Sequence, residues 1–447
     1  MKLTTFNALH SRNYRLYFYG QFISLIGTWM QRTAVSWIIY TMTHSTFLLG
    51  LTFFAGQFPS FVLSLFGGVV SDRYDRFRVL LTTQFASLLQ ASALAIIIIT
   101  GHYKVWELLT LSVVLGCINA FDVPARQSLV YDMVEDKKDI PNALALNSSM
   151  VNLARLIGPA FAGVVLEKLG AGTCFILNAA SFIAVIVSLL RMRLPAYKPK
   201  GNDKKVFTEM REGFTYLRQT PSIAKVILML AAMSLLVIPY ATMMPVYAKE
   251  IFKGDATTFG YIDSFIGLGA VTGALFLASL PAAADRKRIL WTNTILFGVG
   301  LMLFSHTSWF PLAMIFAMLS GFGMMAQTTI SNTIIQTTVA PAMRGRVISY
   351  FAMAYFGLQP LGSLLIGAVS QYIGAPATLL GEGLAALAIV GIFWKYLREK
   401  EPQSLQPAGD TIHIEDGSLP ADEELPAMPV TDPTTIKPPA TWTHART

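Results

Sequence analysis

The chain has 447 residues, of which 53% are hydrophobic and 13% are charged, and its mean hydropathy is +0.52. Because a soluble domain carries about 25% charged residues, this composition excludes an ordinary soluble protein and indicates a polytopic membrane protein. The net charge of +8 does not indicate a nucleic-acid partner, since the basic residues cluster at the ends of apolar runs. Cys117 and Cys174 fall inside apolar runs, so neither a disulfide framework nor a metal site is expected.

Apolar runs of about 20 residues predict twelve membrane-spanning helices. The first six are expected at about 16–39, 47–68, 79–100, 105–124, 143–166 and 172–190. The second six are expected at about 223–246, 258–281, 289–306, 310–332, 346–370 and 376–396. The short, polar N-terminus lacks a cleavage site, so the first span is expected to be retained.

The placement of charge predicts the orientation of these spans. With the N-terminus inside, arginines and lysines fill the short loops on the cytoplasmic side, and the opposite side receives only Lys104, Lys168, Lys249 and Lys253. Short cytoplasmic loops carry an excess of such residues. A multi-pass protein with both termini in the cytoplasm is therefore predicted.

The sequence divides into four predicted parts. They are an amino-terminal six-helix bundle at 1–190, a cytoplasmic linker at 191–221, a carboxy-terminal six-helix bundle at 222–399 and a cytoplasmic tail at 400–447. In the linker, Val206–Leu217 mixes apolar and charged residues at helical spacing, which is typical of an amphipathic helix on the membrane surface. The tail is rich in Pro, Asp, Glu and Thr and is predicted to be disordered.

A short charged turn follows the second span. Its glycines allow two helices to approach closely, and its charges, Asp72 to Arg78, are too polar to enter lipid. The spacing G-x-x-x-D-R-x-x-R-x-R resembles the loop-2/3 signature of major facilitator superfamily transporters, which implies a latch between the two halves on the cytoplasmic side. The alternative is a positive-inside anchor with no mechanical role. Asp75 stands where many superfamily members have glycine.

A shortened form of this turn recurs in the second half, where Asp285-Arg286 with Arg288 matches Asp72-Arg73 with Arg78. Repeats in corresponding places of a twelve-span chain fit two pseudosymmetric bundles around a central site. The fold class predicted is thus an all-α membrane protein with twelve helices in two six-helix bundles. The predicted latch comprises Gly68, Asp72, Arg73, Arg76, Arg78, Arg126, Asp285 and Arg286.

Polar residues inside the spans are costly and usually face a cavity or a partner. The candidates for a substrate cavity and for coupling are Gln31, Arg32, Asn119, Asp122, Asn152, Arg155, Asp263 and Gln327. Arg32 either snorkels to the outer interface beside Trp29 or faces a cavity. Arg155, near mid-membrane, needs a counter-charge, a carbonyl or a wet cavity, with Asp122 as a candidate partner.

Two acidic residues of the second half have less defined roles. Asp263 is either a protonatable coupling group or a polar residue at the outer end of its helix, and the second interpretation is preferred. Glu382 lies in span twelve, where a structural or interface role is expected rather than one in transport.

Several longer motifs carry a closer resemblance. In the first half they are Phe121–Ser128, Pro141–Ser148 and Asn152–Pro159, and in the second half Asn332–Gln336, Arg344–Ser349 and Pro360–Ser363. Over about residues 5–400 the chain resembles the enterobactin-exporter-type branch of the superfamily, which includes "transmembrane secretion effector" and macrolide-efflux proteins. Ile157–Gly163 is similar to the span-five motif of superfamily antiporters, with Gly158, Pro159 and Gly163 in place and Ala162 replacing one of its glycines.

The resemblance implies a secondary active transporter of the inner membrane. Its expected activity is export of a small amphiphilic molecule, siderophore-like or drug-like, by alternating access and proton antiport. The expected partners are this substrate, protons and the lipid bilayer, and a monomer without a cofactor is expected. The runner-up is a lysophospholipid or lipid flippase of the same fold. An enzyme is not expected, because no histidine lies deep in a span and no His-x-x-x-His motif occurs.

Overall fold

A computed structural model describes residues 4–194, 206–281 and 284–398 of the chain. These described residues belong to one compact unit. The predicted tail at 400–447 lies outside the described residues, as does 195–205 of the predicted linker. The predicted division into four parts therefore stays a prediction.

The first half, as we call α1–α6, consists of six long helices joined by short turns. They are α1 Arg12–Thr43, α2 Thr46–Arg73, α3 Arg76–Thr100, α4 Val105–Met133, α5 Ile140–Leu169 and α6 Ala171–Leu190. Each contains the span predicted for it, and most are longer because the helices continue beyond the apolar runs. The turns use standard helix-capping chemistry: Ser45 caps α2 and Asp75 caps α3, each by accepting a hydrogen bond from a backbone N–H.

The second half, as we call α8–α15, follows the amphipathic helix α7, Val206–Gln219. Its helices are α8 Pro221–Leu236, α9 Met244–Val246, α10 Ala256–Ala278, α11 Arg286–His306, α12 Phe310–Thr338, α13 Arg344–Ala352, α14 Leu358–Ile373 and α15 Ala375–Arg398. A π-helical segment, Met353–Gly357, joins α13 to α14 without a break.

The seventh span is irregular, and the turn residue Val237 separates its first helix from the rest. After α8 it passes through a 3₁₀ segment, Ile238–Met243, then α9, then a π-helical segment, Tyr247–Ile251. Pro239 and Pro245 lie in this stretch, and proline removes a backbone donor from the helical ladder. The chain thus changes its helical geometry in the middle of this span.

Eleven helical stretches of the described residues are long and apolar enough to cross a membrane. The remaining long helix, α1, is not among them, because Gln21, Gln31 and Arg32 lower its apolar character. Together they make twelve long helical segments, and the prediction of an all-α membrane protein is confirmed.

The two halves meet along two helix pairs, α5 with α10 and α2 with α14. We call the end of the bundle that holds Arg73, Arg76, Arg78, Arg344 and Arg346 the charged end, and the end that holds the His44–Ser45 turn the opposite end.

Hydrogen bonds between the halves gather at the opposite end. Thr46 Oγ1 donates to the Gly367 carbonyl oxygen at 3.0 Å, and Ser45 Oγ donates to Gln371 Oε1 at 3.1 Å. Toward the charged end, α2 exposes large apolar side chains such as Leu65 and Phe66. The two halves are therefore closed against each other at the opposite end.

Candidate functional site

A cavity of about 340 Å³ lies between the two halves. Helices α1–α5 supply its wall on one side, and the irregular part of span seven, α10, α12 and the α13–α14 segment supply the other. Four of the predicted candidates line it: Gln31, Arg32, Arg155 and Asp263.

Two guanidinium groups lie over one indole on the first-half wall. The Arg32 Cζ atom is 5.2 Å and the Arg155 Cζ atom is 5.8 Å from the centre of the Trp29 ring. Such distances are typical of cation–π contacts, which orient a cation without neutralising it. Arg32 lines the cavity and is exposed, and Arg155 is half-buried. This wall therefore presents two positive charges to the cavity.

Asp263 supplies the opposite charge from α10 and is half-buried. It interacts electrostatically with Arg155, although the ion pairs among the described residues include no direct contact between the two. The sequence offered Asp122 as a candidate partner of Arg155, and that pairing is wrong.

Asp122 lies instead in a buried network of the first half. Its carboxylate accepts hydrogen bonds from Thr83 Oγ1 at 2.9 Å and from Gln84 Nε2 at 2.7 Å. Arg126 Nε lies 3.2 Å from the other carboxylate oxygen, one helical turn along α4. Both groups are largely buried, so they neutralise each other inside the half. Asp122 does not line the cavity.

Three further predicted candidates also lie away from the cavity lining. Asn119 is half-buried on α4. Asn152 donates to the carbonyl oxygen of Ser148 on its own helix at 2.9 Å. Gln327 is fully buried on α12, with no hydrogen-bond partner for its Nε2 atom. Their roles in transport remain predictions.

Gln31 connects the cavity to a chain of buried amides. Asn178 Nδ2 donates to Gln31 Oε1 at 2.7 Å, and Gln31 Nε2 donates to Gln90 Oε1 at 3.0 Å. Gln90 Nε2 then donates to the Leu111 carbonyl oxygen at 3.0 Å. The chain crosses four helices, α6, α1, α3 and α4. A network satisfied in this way fixes the orientation of the two glutamines that line the cavity.

Sequence reasoning missed much of the cavity lining. The missed residues include aromatic and uncharged polar ones: Phe53, Gln57, Gln90, Thr242, Phe259, Tyr355, Phe356, Gln359 and Ser363. Two signals pointed to part of this set. Prolines interrupt span seven next to Thr242, and interrupted spans often line binding sites. Glutamines inside spans are also costly unless they have partners.

The span-five motif packs α5 against both halves. A Cβ atom on Gly158 would lie 2.5 Å from the Trp29 Cβ atom, and one on Gly163 would lie 2.7 Å from the Ala256 carbonyl oxygen. Pro159 lines the cavity. The glycines thus permit close helix packing within the first half and between the halves.

The charged turn between α2 and α3 shows how the predicted latch residues are arranged. Asp75 caps α3 by accepting from the Phe77 N–H at 3.0 Å, and it lies 3.6 Å from Arg78. Arg76 Nε donates to the Ser71 carbonyl oxygen at 3.3 Å, and Arg76 also lies 3.6 Å from Asp132. The unusual Asp75 therefore has a structural role.

The repeat in the second half aligns differently from the prediction. Asp285 caps α11 by accepting from the Arg288 N–H at 3.0 Å. Asp285 therefore corresponds to Asp75 by position, and its predicted match to Asp72 is wrong. The error arose because the turn before α11 is shorter than the turn before α3. The two turns contain the same residue types, but those residues occupy different positions relative to the start of the helix.

The other latch residues lie at open positions of the charged end. Asp72 and Arg73 are exposed, and Arg286 is half-buried at the start of α11. A Cβ atom on Gly68 would meet nothing within 4 Å, whereas one on Gly67 would collide with the Ala120 carbonyl group of α4. Gly67 is thus the glycine that allows close packing in this conformation.

The described part of the chain contains no group of three or more His, Cys, Asp or Glu side chains that could hold a metal ion.

Comparisons with known proteins agree with this architecture. Residues 3–414 match the model of a family described as transmembrane secretion effector. The staphyloferrin A transporter of Staphylococcus aureus is 24% identical over 386 residues, which cover 85% of this chain and 95% of that protein. The multidrug efflux pump Tap of Mycolicibacterium fortuitum is 24% identical, and the alignment covers 82% of this chain and 91% of that protein. The enterobactin exporter EntS of Escherichia coli is 23% identical, and the alignment covers 87% of this chain and 94% of that protein.

Among solved structures, a mutant of the nucleoside transporter NupG superposes with a TM-score of 0.69. The alignment covers 86% of this chain and 98% of the other, at 12% sequence identity. At that identity the similarity shows a shared fold.

Proposed function

We propose that this chain, which belongs to the transmembrane secretion effector family of the major facilitator superfamily, exports a hydroxylated organic anion of amphiphilic character. Family membership makes it a multi-pass membrane transporter rather than an enzyme. The observation that carries the substrate proposal is the pair of guanidinium groups over Trp29 in a cavity shared by both halves.

The cavity supports a substrate of this chemistry. Arg32 and Arg155 can donate several hydrogen bonds to carboxylate or phenolate oxygens, because a guanidinium group carries five N–H donors. The lining also contains Phe53, Phe259 and Phe356, which can pack against apolar or aromatic parts of a ligand. Its volume of about 340 Å³ lies within the usual range for small-molecule sites. Siderophores, which two of the relatives are named for, are candidate substrates.

The transport mechanism we propose is alternating access. The halves are closed at the opposite end, so the other state requires that end to open while the charged end closes. The excess of arginine and lysine supports a cytoplasmic position for the charged end, and we expect both termini on that side. The protein would then lie in the inner membrane, with its cavity closed to the outside in this conformation. One chain contains the whole cavity, so we expect a monomer to be sufficient and no nucleic acid to be required.

We propose Asp263 as the residue that couples export to proton entry. Hydrogen bonds to an ionised carboxylate stabilise that form. Hydroxyl groups of the substrate would therefore favour loss of the Asp263 proton to the cytoplasm, while the substrate's anionic groups bind Arg32 and Arg155. After release outside, Asp263 would take up a proton again. Substrate and proton then compete, which is the requirement for antiport.

The test compares secreted metabolites of a deletion strain that carries the parent, Arg155→Gln, Arg155→Lys or the control Glu167→Gln. Glu167 is exposed on α5 and does not line the cavity. We expect at least one hydroxylated anion that accumulates outside only with the parent, the control and, in part, the lysine variant. A parent-dependent compound that is cationic would contradict the substrate class. A change in lipid remodelling with no change in secreted compounds would support the flippase instead.

A further inference from the structure

Glu382 is a buried acidic residue that the proposed mechanism does not use. It lies about two turns into α15 and its exposed fraction is 2%. Neither Oε1 nor Oε2 has a hydrogen-bond partner. A carboxyl group in such a place is desolvated and has no hydrogen-bond donor that compensates for the lost hydration. Burying a polar group without partners costs about 2–7 kcal/mol, and an ionised one costs much more.

The ion pairs among the described residues include none with this carboxyl group. The elements that pack against α15 are α8, the 3₁₀ segment of span seven, α11 and α14. Their charged or titratable groups are Lys225, Arg286, Lys287 and Arg288 at the charged end, His306 and Tyr372 at the opposite end, and Tyr240 at mid-membrane. Lys225 and Lys287 lie over the Tyr396 ring, near the far end of α15. Glu382 interacts electrostatically with two tyrosines, Tyr240 and Tyr247.

Tyr247 already has a partner, because its hydroxyl donates to the Ser305 carbonyl oxygen at 3.3 Å. Tyr240 does not. Its exposed fraction is 1%, its ring packs edge-on against Phe297 at 5.3 Å, and its hydroxyl has no hydrogen-bond partner. Two buried polar groups without partners thus lie within electrostatic range of each other in the second half.

Tyr240 also lies next to the cavity. Its chain neighbours Pro239 and Ala241 line the cavity wall, and its hydroxyl interacts electrostatically with Asp263 and Arg155 as well as with Glu382. It belongs to the irregular segment of span seven, whose helical geometry changes at this depth. Irregular segments of this kind are common at functional sites of transporters. Tyr240 is therefore the residue that connects the cavity wall with the buried carboxyl group.

We propose that Glu382 is a proton-binding site of the second half, which exchanges its proton with the cavity through Tyr240. In this conformation Glu382 carries the proton, since no described residue donates a hydrogen bond to its carboxyl group. Neither group has a hydrogen-bond partner in this conformation, so transfer requires a movement that brings the Tyr240 hydroxyl into contact with Glu382. The Glu382 O–H bond then breaks as the Tyr240 oxygen accepts that proton, and the Tyr240 O–H bond breaks as its own proton passes to ionised Asp263 or to water in the cavity. The purpose of the site depends on the proposed antiport, but its existence does not.

The test uses the purified full-length chain in lipid nanodiscs and infrared spectroscopy of protonated carboxyl groups. The variants are Glu382→Gln, the matched control Glu167→Gln, Tyr240→Phe and Asp263→Asn. Glutamine keeps the shape of Glu382 and removes the titratable group, and size-exclusion profiles check that each variant is folded. The rate of hydrogen–deuterium exchange at the carboxyl band is measured after transfer to heavy water.

We expect a slowly exchanging carboxyl band in the parent, in Glu167→Gln and in Asp263→Asn, and its loss in Glu382→Gln. In Tyr240→Phe the band should remain and exchange more slowly, by about a hundredfold, since a positioned proton-transfer group contributes at least that much. Persistence of the band in Glu382→Gln would overturn the proposal, and an unchanged exchange rate in Tyr240→Phe would overturn the route. If the parent shows the band but exports no anion, only the proposed function fails.

Discussion

Gly158 on α5 packs against Trp29 on α1 so closely that a Cβ atom would lie 2.5 Å from the Trp29 Cβ atom. Trp29 is also the ring over which Arg32 and Arg155 lie. The position of both guanidinium groups therefore depends on a contact that only glycine allows at 158.

We predict that Gly158→Ala reduces export by displacing Trp29, although alanine favours a helix by about 1 kcal/mol over glycine. The matched control is Gly391→Ala on α15, where a Cβ atom would meet nothing within 4 Å. The measurement is export per inserted protein, together with the thermal stability of the purified variants. Equal export by the two variants would show that the position of Trp29 does not matter.

We predict that substitutions of two neighbouring acidic residues in the charged turn affect different properties, one the stability of the protein and the other its export activity. Asp75→Ala removes the cap of α3 and should lower stability by about 1 kcal/mol. Asp72 lies in the last turn of α2, and Asp72→Asn should insert normally and largely abolish export, as the latch hypothesis requires. Both are measured by thermal unfolding in detergent and by export in cells. Parental export by well-inserted Asp72→Asn would contradict the latch.

The buried pair of Asp122 and Arg126 gives a prediction about folding. Asp122→Asn leaves Arg126 without a counter-charge in a buried site, which typically costs about 3–5 kcal/mol. We expect poor insertion or low thermal stability, and recovery when Arg126 is also changed to leucine. The comparison is made by unfolding of the single and double variants. If the Asp122→Asn variant is stable and lacks only export, Asp122 has a direct role in transport.

The sequence predicted the helices well because apolar runs of membrane length leave few alternatives. The sequence also identified Arg32, Arg155 and Asp263 as candidates for the cavity lining, since charged residues inside spans are rare. It paired Arg155 with Asp122 wrongly because helical spacing shows which residues share a face and does not show which helix lies opposite. The spacing of four between Asp122 and Arg126 was the signal for their actual pairing. Tyr240 gave no signal, because a tyrosine in a span is ordinary until its neighbours are known.

The contact between Ser45 and Gln371 allows a direct test of alternating access. Their side-chain oxygens are 3.1 Å apart, Ser45 is half-buried and Gln371 is exposed, and they join the two halves at the opposite end. We predict that cysteines at both positions, in a chain whose Cys117 and Cys174 are replaced by alanine, react with a short thiol crosslinker. Crosslinking should stop export, because the opposite end can no longer open, and reduction of a cleavable linker should restore it. Each single-cysteine variant treated in the same way serves as the control. Undiminished export by fully crosslinked protein would show that opening at this end is not part of the transport cycle.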